Sequence, residues 1–593
     1  MKRIFFSNWI LLKMGFKVSP WYVLAKIFSS VFQIVQPIGS IWLFKLFLDG
    51  ILTQQSFQYC VNIIIILIVI NEAAYIYTAI LNYRFSPIFN QKVTKTVTEA
   101  LLNKYLHVDM KDLDNPDFYN KYTQVLNDLP TRVVSNIENI TNFIGNILSV
   151  ATVVSLMISM DPWMILVSLI GIVANILFTP FLNKLGYESY KERSGPGRIL
   201  NYVKRVFYIY DYIKELKLFP IKEVLYKKYD GASDKIISVV KKYSIKHILL
   251  VLLIGVLELS GLVVVLLILA YKALAGLLTV GEVSALYNAT ESLKSGVSSL
   301  FSIVPKLMEN RLYVDNYLSF MDIHPVIELS DGMKVDHVES IRFENVSFSY
   351  SLDSSKLALK NIDLKIEQNQ KIALIGHNGA GKSTFINLIT RLYDPLEGTL
   401  YLNGKPYSLY DINSLRSLFL VVFQDCQKYA TTIAENVLMR SLHGAEDEQR
   451  VIHALKKVGL YEKVIKFPKG IYTILTKEFD NDGIVFSGGE QQKLIVARAL
   501  ASDAKVIVLD EVTSNMDAVS EHEVFAEILR SVEDKSVIYV SHKLSTTKYA
   551  DKIYLLNQGE IAESGTHTEL MNLHGIYREM FMVQAEKYGD FNV

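Results

Sequence analysis

The stretch KIALIGHNGAGKST, residues 371–384, decides the fold of the second half of this chain. Its apolar start predicts a buried strand, and the Gly-rich loop that follows opens a helix. Glycine lets successive backbone N–H groups curl round phosphate oxygens, and the helix N-terminus adds positive potential. The stretch therefore predicts a phosphate-binding loop.

The side chains of this loop point to ATP with Mg²⁺. The ammonium of Lys382 is expected to reach the β- and γ-phosphates, and the hydroxyl of Ser383 is expected to bind Mg²⁺. The other loop residues predicted to contact ATP are Gly376, Asn378, Gly379, Gly381 and Thr384.

A second strand supplies carboxylates. In VIVLDE, residues 506–511, apolar residues deliver Asp510 to the end of a strand, where it suits Mg²⁺, and Glu511 can polarise an attacking water. A strand that ends in Asp-Glu is by itself a common structural pattern. The phosphate-binding loop makes the catalytic interpretation the better one.

A third segment, FSGGEQQKLIVARAL at residues 486–500, begins with a Ser-Gly-Gly turn that opens a helix. Ser487, Gly488 and Gly489 thus form a second predicted anion site. The turn resembles the signature LSGGQ of ATP-binding-cassette (ABC) proteins, with Phe486 in place of Leu and Glu490 in place of Gln. Both replacements keep the anion-binding turn.

Other motifs match this family in order, and the resemblance implies their roles. It implies that Tyr350 stacks on adenine, that Gln424 senses the γ-phosphate and joins the Mg²⁺ ligands, that Asp517 belongs to the loop after the catalytic glutamate, and that His542 is the switch histidine. Val512 replaces the usual proline after Glu511. FDNDG, residues 479–483, stands where many exporters carry an inward-facing glutamate, and this departure weakens the case for cross-talk through that loop.

The first half of the chain has a different composition. Half of all residues are hydrophobic, and the apolar runs concentrate there. About 20 apolar residues cross a bilayer as a helix. Six segments are predicted to do so, at residues 21–47, 57–81, 140–160, 163–182, 248–270 and 283–308. The last contains Glu291 and Lys294, which share a helix face and can neutralise each other.

The loops between these segments indicate topology. The second and fourth are long and rich in Lys and Arg, so they and both termini are expected on the cytoplasmic side. Apolar residues at helical spacing in these loops predict that the membrane helices continue beyond the bilayer. Within the spans, Asn71, Glu72 and Glu258 are expected either to pair between helices or to face a cargo path.

The fold prediction is therefore an α-helical transmembrane domain, residues 1–330, with six long helices and cytoplasmic extensions. An α/β P-loop ATPase domain of the ABC type follows at residues 331–593. This layout resembles the half-transporters among ABC exporters of the type IV fold. The resemblance implies a dimer, formed with a second copy or with a related half-transporter, that traps two ATP molecules. The net charge of +1 gives no reason to expect nucleic acid as a partner.

Several hypotheses about the function remain open. ATP-driven export by alternating access is the leading one, catalysed by Glu511, His542 and Gln424 in a multi-pass protein of a bacterial plasma membrane. FQDCQKYATTIAENV and the region before the signature resemble exporters of lantibiotic-type peptides, so a peptide is the expected cargo. Lipids or amphipathic drugs are the next candidates, and a non-pumping ATP-binding regulator is the alternative class. Residues 114–128 and 208–219 resemble the coupling helices of the family. The resemblance implies that their aromatics insert into grooves on the ATPase domains; these are Phe118, Tyr119, Tyr122 and Tyr210.

Overall fold

The computed structural model describes residues 2–328, 331–350, 356–423, 426–510, 529–530, 532–541 and 544–588. The chain divides into two compact units. The first comprises Met1–Tyr105 and Tyr119–Ile323, and the second comprises Leu106–Phe118 and His324–Val593. The second unit thus includes a short segment from the first half of the chain. The boundary between residues 330 and 331 stays a prediction.

Long helices make up the first half of the chain, with a π-helical turn at Leu81–Phe85 joining the third helix to the fourth. They are α1 (Lys2–Val18), α2 (Pro20–Leu52), α3 (Phe57–Ile80), α4 (Ser86–Leu106), α5 (Met110–Leu113), α6 (Pro116–Met160), α7 (Trp163–Tyr208), α8 (Tyr210–Leu218), α9 (Ile221–Leu274) and α10 (Val280–Met321).

Short polar side chains and proline mark where several of these helices begin. Pro20 starts α2, where a missing N–H costs nothing. The Ser56 side chain accepts the N–H of Tyr59 at the start of α3. Thr279 and Glu282 form a reciprocal capping box at the start of α10.

Four helical stretches among the described residues are long and apolar enough to cross a membrane: Phe57–Leu106, Lys121–Met160, Trp163–Tyr208 and Ile221–Leu274. At about 1.5 Å per residue, the 54-residue α9 is about 80 Å long, far more than a bilayer needs. The expected continuation of these helices beyond the bilayer is confirmed. The predicted spans at residues 21–47 and 283–308 are helical, since they lie within α2 and α10. They are not among these four stretches, so the six-span layout stays a prediction.

Helices α7 and α9 pack closely through glycine. A Cβ built on Gly261 would lie 2.6 Å from the Cα of Gly171, so small residues let the two backbones meet. Beside this contact, Asn175 donates a hydrogen bond to Glu258. Lys294 of α10 lies 3.2 Å from Glu258 and 3.9 Å from Glu291. The predicted Glu291–Lys294 pair is therefore present, but Glu258 is the nearer partner.

Two β-sheets form the frame of the second unit. The strands are β1 (Ser340–Phe348), β2 (Leu359–Glu367), β3 (Lys371–Gly376), β4 (Glu397–Leu402), β5 (Lys405–Pro406), β6 (Phe419–Val422), β7 (Val506–Asp510), β8 (Ser536–Val540), β9 (Lys552–Asn557) and β10 (Glu560–Gly565). One sheet has the order β2-β1-β4-β5 and is antiparallel. The other has the order β10-β9-β3-β8-β7-β6, with parallel pairing from β9 to β6.

Helices surround these sheets. They are α11 (Lys382–Ile389), α12 (Ile412–Ser417), α13 (Ile433–Leu438), α14 (Gly444–Lys457), α15 (Tyr461–Val464), α16 (Gly488–Ala501), α17 (His567–Leu573) and α18 (Ile576–Tyr588). One apolar core lies between the two sheets and includes Phe343 and Phe385, whose rings stack at 4.8 Å. A separate core, built around α13, α14 and α16, includes Phe486. The predicted α/β domain is confirmed, and the larger of its two sheets is mostly parallel.

Candidate nucleotide site

The phosphate-binding loop lies at the end of a central strand. Strand β3 is hydrogen-bonded to β8 on one side and β9 on the other, and α11 begins at Lys382 directly after the loop. Gly376, Gly379 and Gly381 have φ angles of 153°, 80° and 107°, which favour glycine. A Cβ on Gly376 would also lie 2.3 Å from the carbonyl oxygen of Leu556. The loop shape therefore requires these glycines.

Lys382 folds back over the loop that precedes it. Its Nζ donates hydrogen bonds to the carbonyl oxygens of Gly376 at 2.9 Å and His377 at 3.1 Å, and the residue is buried. The neighbouring Ser383 is exposed. The loop thus holds a cation against its own backbone and presents a hydroxyl at the first turn of α11, as an ATP·Mg²⁺ site requires.

Tyr350, the predicted adenine-stacking residue, is held against α11. Its hydroxyl donates to the Oγ1 of Thr384 at 3.3 Å and accepts from Asn387 at 3.0 Å. Its ring meets that of Tyr393 edge-on at 5.4 Å between centroids, and the residue is half exposed. Asn387 and Tyr393 position Tyr350, and nothing in their local sequence pattern indicated this role.

The strand topology relates Asp510 to the loop. Asp510 ends β7 and pairs with Val540, which ends β8, and β8 lies directly beside β3. Because these strands are parallel, their carboxyl ends share the edge of the sheet that bears the phosphate-binding loop. An exposed serine hydroxyl and a carboxylate at one edge supply oxygen ligands, which Mg²⁺ prefers. Ser383 and Asp510, two of the three predicted metal ligands, therefore fit that ion.

The remaining predicted residues of the catalytic machinery, Gln424, Glu511, Asp517 and His542, lie outside the described residues. Strands β6, β7 and β8 end at Val422, Asp510 and Val540. Gln424, Glu511 and His542 therefore follow within two residues of strands that end at this same edge.

The Ser-Gly-Gly turn opens α16 as predicted. Ser487 is the N-cap, and Glu490 closes a capping box by accepting the N–H of Ser487 at 2.9 Å. The pattern S-x-x-E could have identified this cap from the sequence. Glu490 also forms an ion pair with Lys463, whose Nζ lies 2.6 Å from its Oε1. The sequence pattern does not indicate this pair, because the two residues are 27 positions apart. The Lys463 ammonium and the Ser487 N–H lower the pKa of Glu490, so its side chain is charged at neutral pH.

The first segment that resembles a coupling helix is partly in the ATPase unit. Asp114 accepts a hydrogen bond from the hydroxyl of Tyr393, the same tyrosine that packs against Tyr350. Tyr122 belongs to the helical unit instead, where it is buried and stacks on Tyr105 at 4.3 Å. The expectation that Tyr122 inserts into a groove of the ATPase domain is therefore wrong. Its apolar ring is used in helix packing.

The second segment that resembles a coupling helix lies around α8, and its large side chains are exposed where Tyr122 is buried. Tyr208, Tyr210 and Leu218 are each at least 75% exposed, although all three are large and apolar in body. Exposed apolar side chains that cluster on one surface are typical of a contact with another protein or with a membrane.

Comparisons with known proteins agree with this geometry. Residues 359–514 match the family model described as ABC transporter. The subtilin transport ATP-binding protein SpaT of Bacillus subtilis is 28% identical over 508 residues, which cover 83% of this chain and 80% of that protein. The ABC multidrug transporter atrD of Emericella nidulans is 36% identical over 290 residues, which are 48% of this chain and 21% of that protein.

A solved structure supports the fold over nearly the whole length. A bacterial Atm1-family ABC exporter with ATP bound superposes with a TM-score of 0.78 at 20% sequence identity, covering 95% of this chain and 98% of that one. The match includes the apolar helices as well as the ATPase unit. The chain therefore carries an ABC transporter domain at residues 359–514 together with helices long and apolar enough to cross a membrane, and it resembles ABC exporters along most of its length.

Proposed function

We propose that this half-transporter acts as a dimer in which each phosphate-binding loop and the Ser487 turn of the other chain enclose one ATP. The observation that carries this proposal is the exposure and the open surroundings of Gly488 and Gly489. Both are exposed, neither has a positive φ, and a Cβ on either would meet nothing within 4 Å. Glycine is a poorer helix former than alanine, and the fold of this chain gives no reason for two glycines here. Close approach of a ligand that another molecule holds would explain why glycine stands at these two positions.

Within each site, the residues have distinct roles. Lys382 and the loop N–H groups bind the phosphates, Tyr350 stacks on adenine, and Ser383, Gln424 and Asp510 hold Mg²⁺. That ion, when bound, neutralises phosphate charge. Glu511 accepts a proton from the attacking water, and His542 orients the γ-phosphate. Asp517 lies at the seam between the two chains.

The exposed tyrosines and the exposed leucine around α8 support the same dimer. Tyr208, Tyr210 and Leu218 would dock on the ATPase unit of the second chain, so that closure over ATP moves the membrane helices. A second copy of this chain is the proposed partner, because every residue assigned to catalysis is present in it. A related half-transporter is the other outcome that a pull-down of the native protein would identify.

We further propose that both termini and the ATPase unit face the cytoplasm of a bacterial plasma membrane. Two observations support this orientation: the long connections are rich in Lys and Arg, and the ATPase needs cytoplasmic ATP. Accessibility of single engineered cysteines at the short connections, labelled from outside intact cells, tests it.

The proposed cargo is a ribosomally made peptide. The similarity to the subtilin transport protein over four fifths of both chains supports a peptide ahead of a lipid or drug. The test is ATP-dependent uptake into inside-out vesicles, comparing a cationic precursor peptide, a fluorescent lipid and an amphipathic dye. Uptake of the lipid or dye without the peptide would contradict the peptide assignment.

The pump itself is tested in lipid with Glu511→Gln. This change should abolish steady-state ATP hydrolysis and leave an ATP-bound dimer that persists during gel filtration. Glu533→Gln, at an exposed carboxylate, is the matched control and should hydrolyse ATP at the wild-type rate. Unchanged hydrolysis in Glu511→Gln would refute the assignment of the base. Hydrolysis without uptake of any cargo would favour a non-pumping regulator.

A further inference from the structure

The two residues that depart from the usual signature sequence share one neighbour, Lys463. Its Nζ lies 2.6 Å from the Oε1 of Glu490 and 5.8 Å from the centroid of the Phe486 ring. Lys463 belongs to the short helix α15 and reaches the first turn of α16 from outside it. A cation thus contacts both unusual side chains of the turn.

Glu490 divides its two oxygens between different tasks. Oε2 accepts a hydrogen bond from the N–H of Ser487 and closes the capping box, while Oε1 accepts one from the Lys463 ammonium. The cap favours the helix, because a carboxylate in the first turn complements the helix dipole. The same carboxylate brings a negative charge to the N–H groups that must accept a triphosphate.

Two negative charges at such a turn repel each other, and the repulsion is strong when water is excluded between two protein surfaces. An ammonium in contact with the carboxylate offsets most of that field. A glutamine at this position would need no such compensation, since its amide oxygen can accept the Ser487 N–H without carrying charge.

We propose that Lys463 is a positioning residue of the ATP site, which neutralises Glu490 so that the Ser487 turn can receive the triphosphate held by the partner chain. This inference rests on the proposed dimer. Lys463 touches neither the nucleotide nor the reacting atoms and acts through Glu490. Its charge affects the ground state and the transition state of hydrolysis alike, so its loss should raise KM for ATP and leave kcat nearly constant.

The test uses the full-length protein in lipid and measures ATP hydrolysis against ATP concentration for five proteins. These are the wild type, Lys463→Ala, Glu490→Gln, the double variant, and Lys466→Ala as a matched control. Lys466 is an exposed lysine three residues along, with no ion pair to a described residue. Lys463→Ala should raise KM roughly three- to tenfold, and Lys466→Ala should not. In the Glu490→Gln background, removing Lys463 should have no further effect.

The outcomes separate this inference from the proposed function. Equal KM values for Lys463→Ala and Lys466→Ala, with a functional wild type, would overturn the role of Lys463 alone. A double variant as weak as Lys463→Ala would also overturn it, because a purely structural lysine is not rescued by removing the charge of Glu490. A wild type that neither hydrolyses ATP nor dimerises with it would overturn both proposals.

Discussion

The carboxylate of Asp109 binds the backbone of Ile327, 218 residues further along the chain. Its oxygens accept the N–H groups of Val326 at 2.8 Å, Ile327 at 3.1 Å and Glu328 at 3.0 Å, and Asp109 is buried. Glu328 in turn forms a two-pronged ion pair with Arg416, at 2.8 Å for each oxygen. The segment Leu106–Phe118 is thereby fixed to the chain that enters the ATPase unit.

Substituting Asp109 with Asn should loosen this attachment. An amide group can donate from one side, so at least one buried N–H loses its acceptor, at a cost of about 1–3 kcal/mol. Hydrogen exchange at residues 326–328 should quicken and thermal unfolding should begin earlier. Asp112→Asn, on the same segment, is the control. Unchanged exchange in Asp109→Asn would show that the carboxylate does not hold these amides.

Tyr350 offers a way to separate stacking from hydrogen bonding. Tyr350→Phe loses the contacts with Thr384 and Asn387 but keeps the ring, so ATP affinity should fall less than twofold. Tyr350→Ala loses the ring and should weaken ATP binding by about 1–2 kcal/mol. Titration with a fluorescent ATP analogue measures both. Equal losses in the two variants would mean that the hydroxyl, not the ring, serves the nucleotide.

The contact between Lys294 and Glu258 predicts non-additive effects on stability. Lys294→Ala leaves a partly buried carboxylate without its cation and should destabilise the helical unit by about 1–3 kcal/mol. Adding Glu258→Gln should recover most of that loss. Thermal unfolding in detergent compares these variants with Lys246→Ala, at an exposed lysine of α9. Additive losses would refute the pairing.

His567 predicts a loss of stability in mild acid. Its Nδ1 lies 2.6 Å from the Tyr577 hydroxyl, and burial together with Lys548 lowers its pKa below 6.5. The unfolded chain therefore binds the proton first, so the contribution of this histidine is present above about pH 6.5 and is lost as the pH falls below it. Midpoints of thermal unfolding between pH 7.5 and 5.5 should fall less in His567→Gln than in the wild type. His453→Gln, at an exposed histidine, should behave as the wild type does.

Much of the site could be predicted because its chemistry is encoded in short segments. The loop from Gly376 to Lys382 needs glycines with positive φ and one lysine within a few residues, and the sequence shows both directly after a predicted strand. The capping box of Ser487 and Glu490 is equally local. Tyr122 was misjudged because an aromatic residue on an amphipathic helix looks the same whether it packs inside its own unit or docks on another.

The sequence alone determined the phosphate-binding loop, the strand that carries Asp510, the Ser-Gly-Gly turn and the apolar helices, since each depends on neighbouring residues and on backbone geometry. Tertiary structure decided which distant side chains meet. Asp109 with the amides of residues 326–328, Asp114 with Tyr393, and Lys463 with Glu490 are brought together by packing. A charged side chain forms a hydrogen bond or an ion pair only where the folded chain places a group of opposite polarity within about 3 Å. The spacing of residues along the sequence does not reveal which distant groups come that close.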